Sequence, residues 1–202
     1  QIGKPDVAPF FPEWSGYVGR ARKVFKFQVT AITHRKDRPI FFSPLAHSFE
    51  PDYMVAPFRE ASFYELAHRI VPGLVVDVTC PFVLKRGGGI VFQVKKRRPM
   101  DEGFQKTILL NALAASPGIP WAIAVDDDVD IYNTDELLWA ITSRANPKTD
   151  FFYGPEGSAG GGMTPAETET GAFSGGTAVD ATVPFFFKKK YERAHYAVDK
   201  IN

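Results

Sequence analysis

Trp121-Ala122-Ile123-Ala124-Val125-Asp126-Asp127-Asp128-Val129-Asp130 is the stretch on which the fold turns. Its first five residues form an unbroken apolar run, the mark of a strand covered on both faces, and the acidic run after it marks the strand's carboxyl end. Working upstream, Phe104, Ile108 and Leu109 fall on one face of a helix from about Asp101 to Ala115. Before it come a strand over Ile90 to Lys95, a turn at Gly87-Gly88-Gly89, a strand over Leu74 to Val78 and a helix near Arg59 to Ile70. Downstream, Asn133 is placed to cap a helix over Thr134 to Arg144, with Glu136 three residues on and Pro147 beyond its end. Strand and helix in alternation predict an α/β domain.

The flanks read differently. From Lys23 to Arg35 apolar and polar residues alternate through Phe25, Phe27, Val29 and Ala31, giving a half-buried strand, with Ile40 to Ser43 as its hairpin partner. Two strands alone are marginal, so this ribbon is expected to be the edge of a larger β structure. The proline-rich stretch Gln1 to Ser15 reads as a connection, the glycine-rich stretch Gly154 to Gly176 as a long functional or partner-covered loop, and Phe185 to Lys200 as a docking helix. The expected division is 1–45, 46–183 and 184–202.

Composition narrows the function. The 202 residues can bury a sizeable core, and 24 Lys plus Arg against 23 Asp plus Glu argue against capture by nucleic acid or an anionic membrane. No apolar run approaches the length of about 18 that a transmembrane helix needs. The single cysteine, Cys80, points to an intracellular, cytoplasmic protein with an inert core thiol. The opening residues resemble neither a signal nor a transit peptide, and a start on Gln1 reads as a processed or partial product.

Several clusters bear on chemistry. Asp126, Asp127, Asp128 and Asp130 sit where open α/β sheets place ligands, and a DxD-type arrangement there would suit a metal-dependent glycosyltransferase. The competing reading is a turn whose carboxylates accept backbone hydrogen bonds. Lys85, Arg86 and the glycines lack P-loop spacing, and the basic runs Lys95 to Arg98 and Lys188 to Lys190 read as solvated faces. His34, His47, His68 and His195 show no metal-ligand spacing. Glu13, among aromatics and prolines, is a candidate for raised proton affinity and so for a general acid.

Five blocks in order carry a resemblance: Pro12-Glu13-Trp14-Ser15-Gly16-Tyr17, Thr30 to Asp37, Val125 to Asp130, Leu138 to Arg144 with Pro147, and Asp180-Ala181-Thr182. Together they resemble the UbiD family of reversible (de)carboxylases, over the carboxyl-terminal part of a usual member. The resemblance implies a carboxyl-terminal α/β domain preceded by the last strands of a split β-barrel that binds flavin. It also implies prenylated FMN as cofactor, and an aromatic or α,β-unsaturated acid and CO2 as reactants. Mn2+ and a monovalent cation would sit at the cofactor phosphate, held by residues outside this chain. Glu13 takes the family's proton-donor position, and Trp14, Met54, Val55 and Met163 fall near positions that line the substrate pocket. The aspartate run becomes a strand-to-helix junction.

Two departures stand out. The family's first network glutamate, five residues before the second, is replaced by Ala8, and a basic residue twelve before the aspartates by Ala114. Both favour, as an alternative, a catalytically reduced UbiD-like subunit of a carboxylase complex. Either way the expected partner is an upstream half or another UbiD-like subunit, in a homo- or hetero-oligomer.

Overall fold

The computed structural model describes residues 2–7, 16–18, 23–37, 49–84, 88–116, 118–154, 157–158, 172–173 and 176–194, with backbone alone at 2–7, 49–54, 157–158 and 172–173. In chain order the elements are β1 (Ile2–Val7), β2 (Lys23–Phe27), α1 (Phe49–Ile70), β3 (Val75–Thr79), β4 (Ile90–Val94), α2 (Phe104–Ala115), β5 (Trp121–Asp126), α3 (Thr134–Arg144), β6 (Phe151–Tyr153), β7 (Gly157–Ser158), β8 (Ala172–Phe173) and β9 (Thr177–Ala181). Five strands form one sheet in the order β3-β4-β5-β9-β6. Its centre, β4, β5 and β9, is parallel, and the edge strands β3 and β6 run antiparallel to their neighbours. The sheet is mixed and open.

Alternation along β5 distributes the core. Ala122 and Ala124 face α1 and α2, packing with Phe63, Ala67, Ile108, Leu109, Ala112, Phe92 and Ala178. Ile123 and Val125 face the other way, onto Leu137 and Ala140 of α3 with Val129, Val91 and Val179. Small residues let α2 approach one face, while branched ones fill the space under α3. Phe63 meets Phe92 edge-on, 6.4 Å between ring centroids at 89°. At Gly176 the chain passes so close to Ile119 that any Cβ would collide with its carbonyl oxygen.

The α3 reading holds in detail: Asn133 Oδ1 accepts from the backbone N–H groups of Asp135 and Glu136 at 3.0 and 3.4 Å. Elsewhere the structure corrects the sequence. Residues 2–7 form a strand, pairing with β2 antiparallel through a register shift between Ile2 and Pro5, and a proline is tolerated there because β1 is an edge. β2 is shorter than the alternation suggests, and its five residues are exposed rather than half-buried, Phe25 and Phe27 to 71% and 74%. Its expected partner, 40–43, lies outside the described residues. Helix α1 begins ten residues ahead of Arg59 and runs through Pro57. The strands β6 and β9 were not evident, and β7 with β8 forms a small ribbon inside the glycine-rich loop. After β9, the described tail forms a 310 turn at Phe185–Phe187 and no α-helix before residue 194. Among the described residues, no helix is long and apolar enough to cross a membrane.

Candidate functional site

The parallel strands deliver Asp126 and the turn after it to one edge of the sheet, where a cleft of about 1430 Å³ opens. Asp77, Gln93, Tyr132, Trp139, Arg144 and Arg193 are among its walls. The turn is fixed from below, where the Gln93 side-chain amide donates to the Val129 carbonyl at 2.8 Å. Tyr132 O–H donates to Asp77 at 3.0 Å, and burial together with that carboxylate pushes the phenol up to about 12.

Each carboxylate of the turn is committed to the chain's own donors. Asp126, 3% exposed, accepts from the Val183 backbone N–H at 2.6 Å and from Arg144 at 3.1 Å on Oδ2. Its Oδ1 has no well-aligned hydrogen bond, and the Lys188 ammonium 3.0 Å away offsets its charge. Arg144 also grips Asp128 through two bonds of 2.8 and 2.7 Å. Burial would raise the Asp128 carboxyl, but the Arg144 fork outweighs it and holds the group below the usual carboxylate range. Lys95 lies 2.6 Å from Asp127. Arg193 donates to the Asp128 carbonyl and to both oxygens of Glu136 at 2.9 to 3.0 Å, and holds that carboxyl low. Both Arg144 and Arg193 stack on Trp139, 4.8 Å from the ring centroid.

With Asp126, Asp127 and Asp128 matched by Lys95, Arg144 and Lys188, Glu136 by Arg193, and Asp130 accepting from the Tyr132 backbone N–H at 2.9 Å, the turn has the chemistry of a structural junction. Among the described residues no group of three or more His, Cys, Asp or Glu side chains is arranged to hold a metal. The aspartates therefore offer no support for the DxD alternative. Of the cations that line the cleft, Arg144 and Arg193 already serve carboxylates, and Lys190 lies over the Tyr191 ring.

A second polar knot lies beside the first. Lys96, expected on a solvated face, is buried, and its ammonium donates to Glu102 at 3.1 Å, Thr182 at 2.9 Å and the Val183 carbonyl at 2.7 Å. Alternation beyond β4 turns this residue inward. Thr182 in turn donates to Asp180 at 2.6 Å, and Gln105 bridges Asp180 and Glu102 at 2.9 and 2.8 Å. Burial raises the Asp180 carboxyl in spite of these donors. Lys188, likewise read as solvated, pairs with Asp126.

Of the expected site residues, Glu13, Trp14 and Met163 lie outside the described residues, as does Ala8. Met54 falls within α1 with its side chain not described, and Val55 stands 53% exposed on the same helix. Ala114 is exposed on α2. Cys80 is buried, and burial pushes its thiol up to about 11, as an inert core cysteine requires. Arg144, Lys96 and Asp180 carry more of the observed geometry than the sequence reading gives them, because Asp126, Thr182 and Gln105, which bind them, lie 18, 86 and 75 residues away.

Residues 52–181 match the family model described as 3-octaprenyl-4-hydroxybenzoate carboxy-lyase C-terminal domain. Gallate decarboxylase of Lactiplantibacillus plantarum is 32% identical over 92% of this chain and 39% of its own length. The UbiD-class enzyme HmfF from Pelotomaculum thermopropionicum, solved in complex with FMN, superposes with a TM-score of 0.81 at 26% identity, over all of this chain and 44% of that one. The 3,4-dihydroxybenzoic acid decarboxylase of Klebsiella pneumoniae gives 0.69 at 29% identity, over 92% and 39%. The chain thus spans about two-fifths of the length of the relatives it matches. With its mixed sheet, its aspartate junction and this match over its carboxyl-terminal domain, the chain belongs to the UbiD family.

Proposed function

We propose that this chain is the carboxyl-terminal part of a cytoplasmic UbiD decarboxylase acting on an aromatic or α,β-unsaturated acid. The carrying observation is the match of residues 52–181 to the family's carboxyl-terminal domain, with a gallate decarboxylase among the relatives. Prenylated FMN, with Mn2+ and a monovalent cation at its phosphate, would be held by residues outside this chain, and the exposed β1–β2 ribbon would complete a split barrel with them. Val55, Trp14, Met54 and Met163 are assigned to the wall against the flat acid.

Glu13 is assigned the timed proton. The carbon–carboxylate bond breaks, CO2 leaves, and Glu13 delivers a proton to the same carbon, with the opposite order in carboxylation. A carboxylate among Phe10, Phe11 and Trp14 suits this role because apolar neighbours favour its protonated form. Ala8 stands where a relay glutamate is expected, and this observation favours a second reading, a catalytically reduced subunit that completes a partner's site.

Glu13→Gln in the assembled, flavin-loaded enzyme separates the two. Loss of at least about 100-fold in decarboxylation at unchanged flavin content supports the donor role. Near-normal turnover and deuterium exchange in D2O would refute it and favour the second reading.

A further inference from the structure

Helix α1 carries Val55 near its start, and the fastenings to the sheet among its described side chains lie further along. Pro57 has no N–H to give the Tyr53 carbonyl, so the residues before it are tied to the rest of the helix by one bond fewer. Ahead of the proline, Ala56 is the one described side chain packed against the core, and it contributes a methyl group. Soon after it come two side chains that reach the turn before β4 and the end of β3. Arg59 donates to the Gly88 carbonyl at 3.1 Å. Glu60 Oε1 accepts from the Cys80 backbone N–H at 2.7 Å and from the Thr79 hydroxyl at 3.3 Å. The apolar anchors, Phe63 and Ala67, follow only one and two turns later.

We infer that Glu60 is a positioning residue for the substrate wall: its carboxylate, bonded to the end of β3, sets where the first two turns of α1 stand and hence where Val55 faces. This rests on the assignment of Val55 to that wall. Five residues at 1.5 Å rise separate Glu60 from Val55 by about 7.5 Å, close enough for a shift at one to be felt at the other. The Cys80 N–H sits at the end of an edge strand and needs an acceptor, so the bond has a cost if broken on either side. Glu60 itself touches no reacting atom.

The test compares Glu60→Ala and Glu60→Gln with the wild type in the holoenzyme, using hydrogen exchange over 49–58 and steady-state kinetics on an aromatic acid that the wild type decarboxylates. Gln keeps the accepting oxygen and should behave as wild type. Ala should speed exchange over 49–58 by about tenfold and raise KM by about tenfold with kcat and flavin content held. Unchanged exchange in Glu60→Ala would refute the fastening, and faster exchange at unchanged KM would refute the positioning role. Failure of the wild type on every aromatic or unsaturated acid would instead overturn the proposed function and the substrate wall with it, a result visible before any variant is compared.

Discussion

Arg144→Met is the sharpest test of the aspartate junction. The Arg144 side chain is 7% exposed and serves the buried carboxylate of Asp126 together with Asp128, whose side chain is 37% exposed. Methionine keeps the length and apolar body of the side chain and removes the charge and all its donors. Removing one partner of a buried ion pair costs about 3 to 5 kcal/mol, because the other charge stays buried. Lys188 remains 3.0 Å from Asp126, and the Val183 N–H still donates, so the lower end applies, about 3 kcal/mol. The Asp128 half of the fork adds little, since a partly exposed pair contributes about 0 to 1 kcal/mol. For a chain of this size that corresponds to a fall of about 6 to 12 °C in Tm. Urea titration followed by tryptophan fluorescence gives the free energy directly, with Trp139 as a local reporter beneath the guanidinium. Arg144→Lys, which keeps charge without the fork, should lose about half as much. A loss under about 1 kcal/mol in Arg144→Met would refute the view that the turn depends on this cation.

Asp180 gives a pH signature. Its folded carboxyl is raised by burial, so the stability tied to its protonated form is complete below the unfolded value near 4 and is lost as pH rises through the folded value. Asp180→Asn should therefore show a stability difference from wild type that narrows as pH falls towards about 4, read from urea midpoints across pH; a constant offset would refute it. Asp128 and Glu136 work in the opposite sense: both are held low, so their contribution is present above about 4 and lost on acidification through their folded values. Arg193→Gln should flatten that acid limb. On the ribbon, Phe25→Ser with Phe27→Ser should leave the urea unfolding free energy of the sheet domain within about 0.5 kcal/mol while reducing self-association of the isolated chain by light scattering. Unchanged association would mean that this apolar surface does not drive it.

How legible the molecule was in its sequence depended on whether a signal was local. The apolar run at 121–125 and the capped helix after Asn133 are set by neighbours a few residues away, and the sequence marks the helix at both ends and the strand to within one residue. Pro57 was misleading because a proline breaks a helix only when packing does not hold it, and here Phe63 and Ala67 secure the second half. β9 was hidden because Thr177-Ala178-Val179-Asp180-Ala181 holds two alanines and an acid, and it becomes a strand by lying between β5 and β6. Lys96 was assigned to solvent for want of any local sign that Thr182 and the Val183 carbonyl await it. For the site, the order of the five blocks identified the family, while Glu13, Trp14 and Met163 lie outside the described residues.

The aspartate run also shows why a motif must be read with its partners. Three adjacent carboxylates at the carboxyl end of a parallel strand present the charge that a divalent cation or a nucleotide diphosphate complex would seek. Here the same place is filled from within, by an arginine one helix later, by a lysine ending the neighbouring strand and by two cations of the tail. Such closure makes the turn a fastening for α3 and for residues 183–194, and it removes the electrostatic reason for a ligand to bind the acids. Among the described residues, the exposed apolar side chains include Phe25 and Phe27 on β2 and Val55 and Phe58 near the start of α1. In sequence, β2 follows the segment that carries Glu13 and Trp14, and α1 is the helix that carries Met54. The acids that first suggest a site hold the scaffold together, whereas Phe25, Phe27, Val55 and Phe58 leave most of their surface free for contacts beyond it.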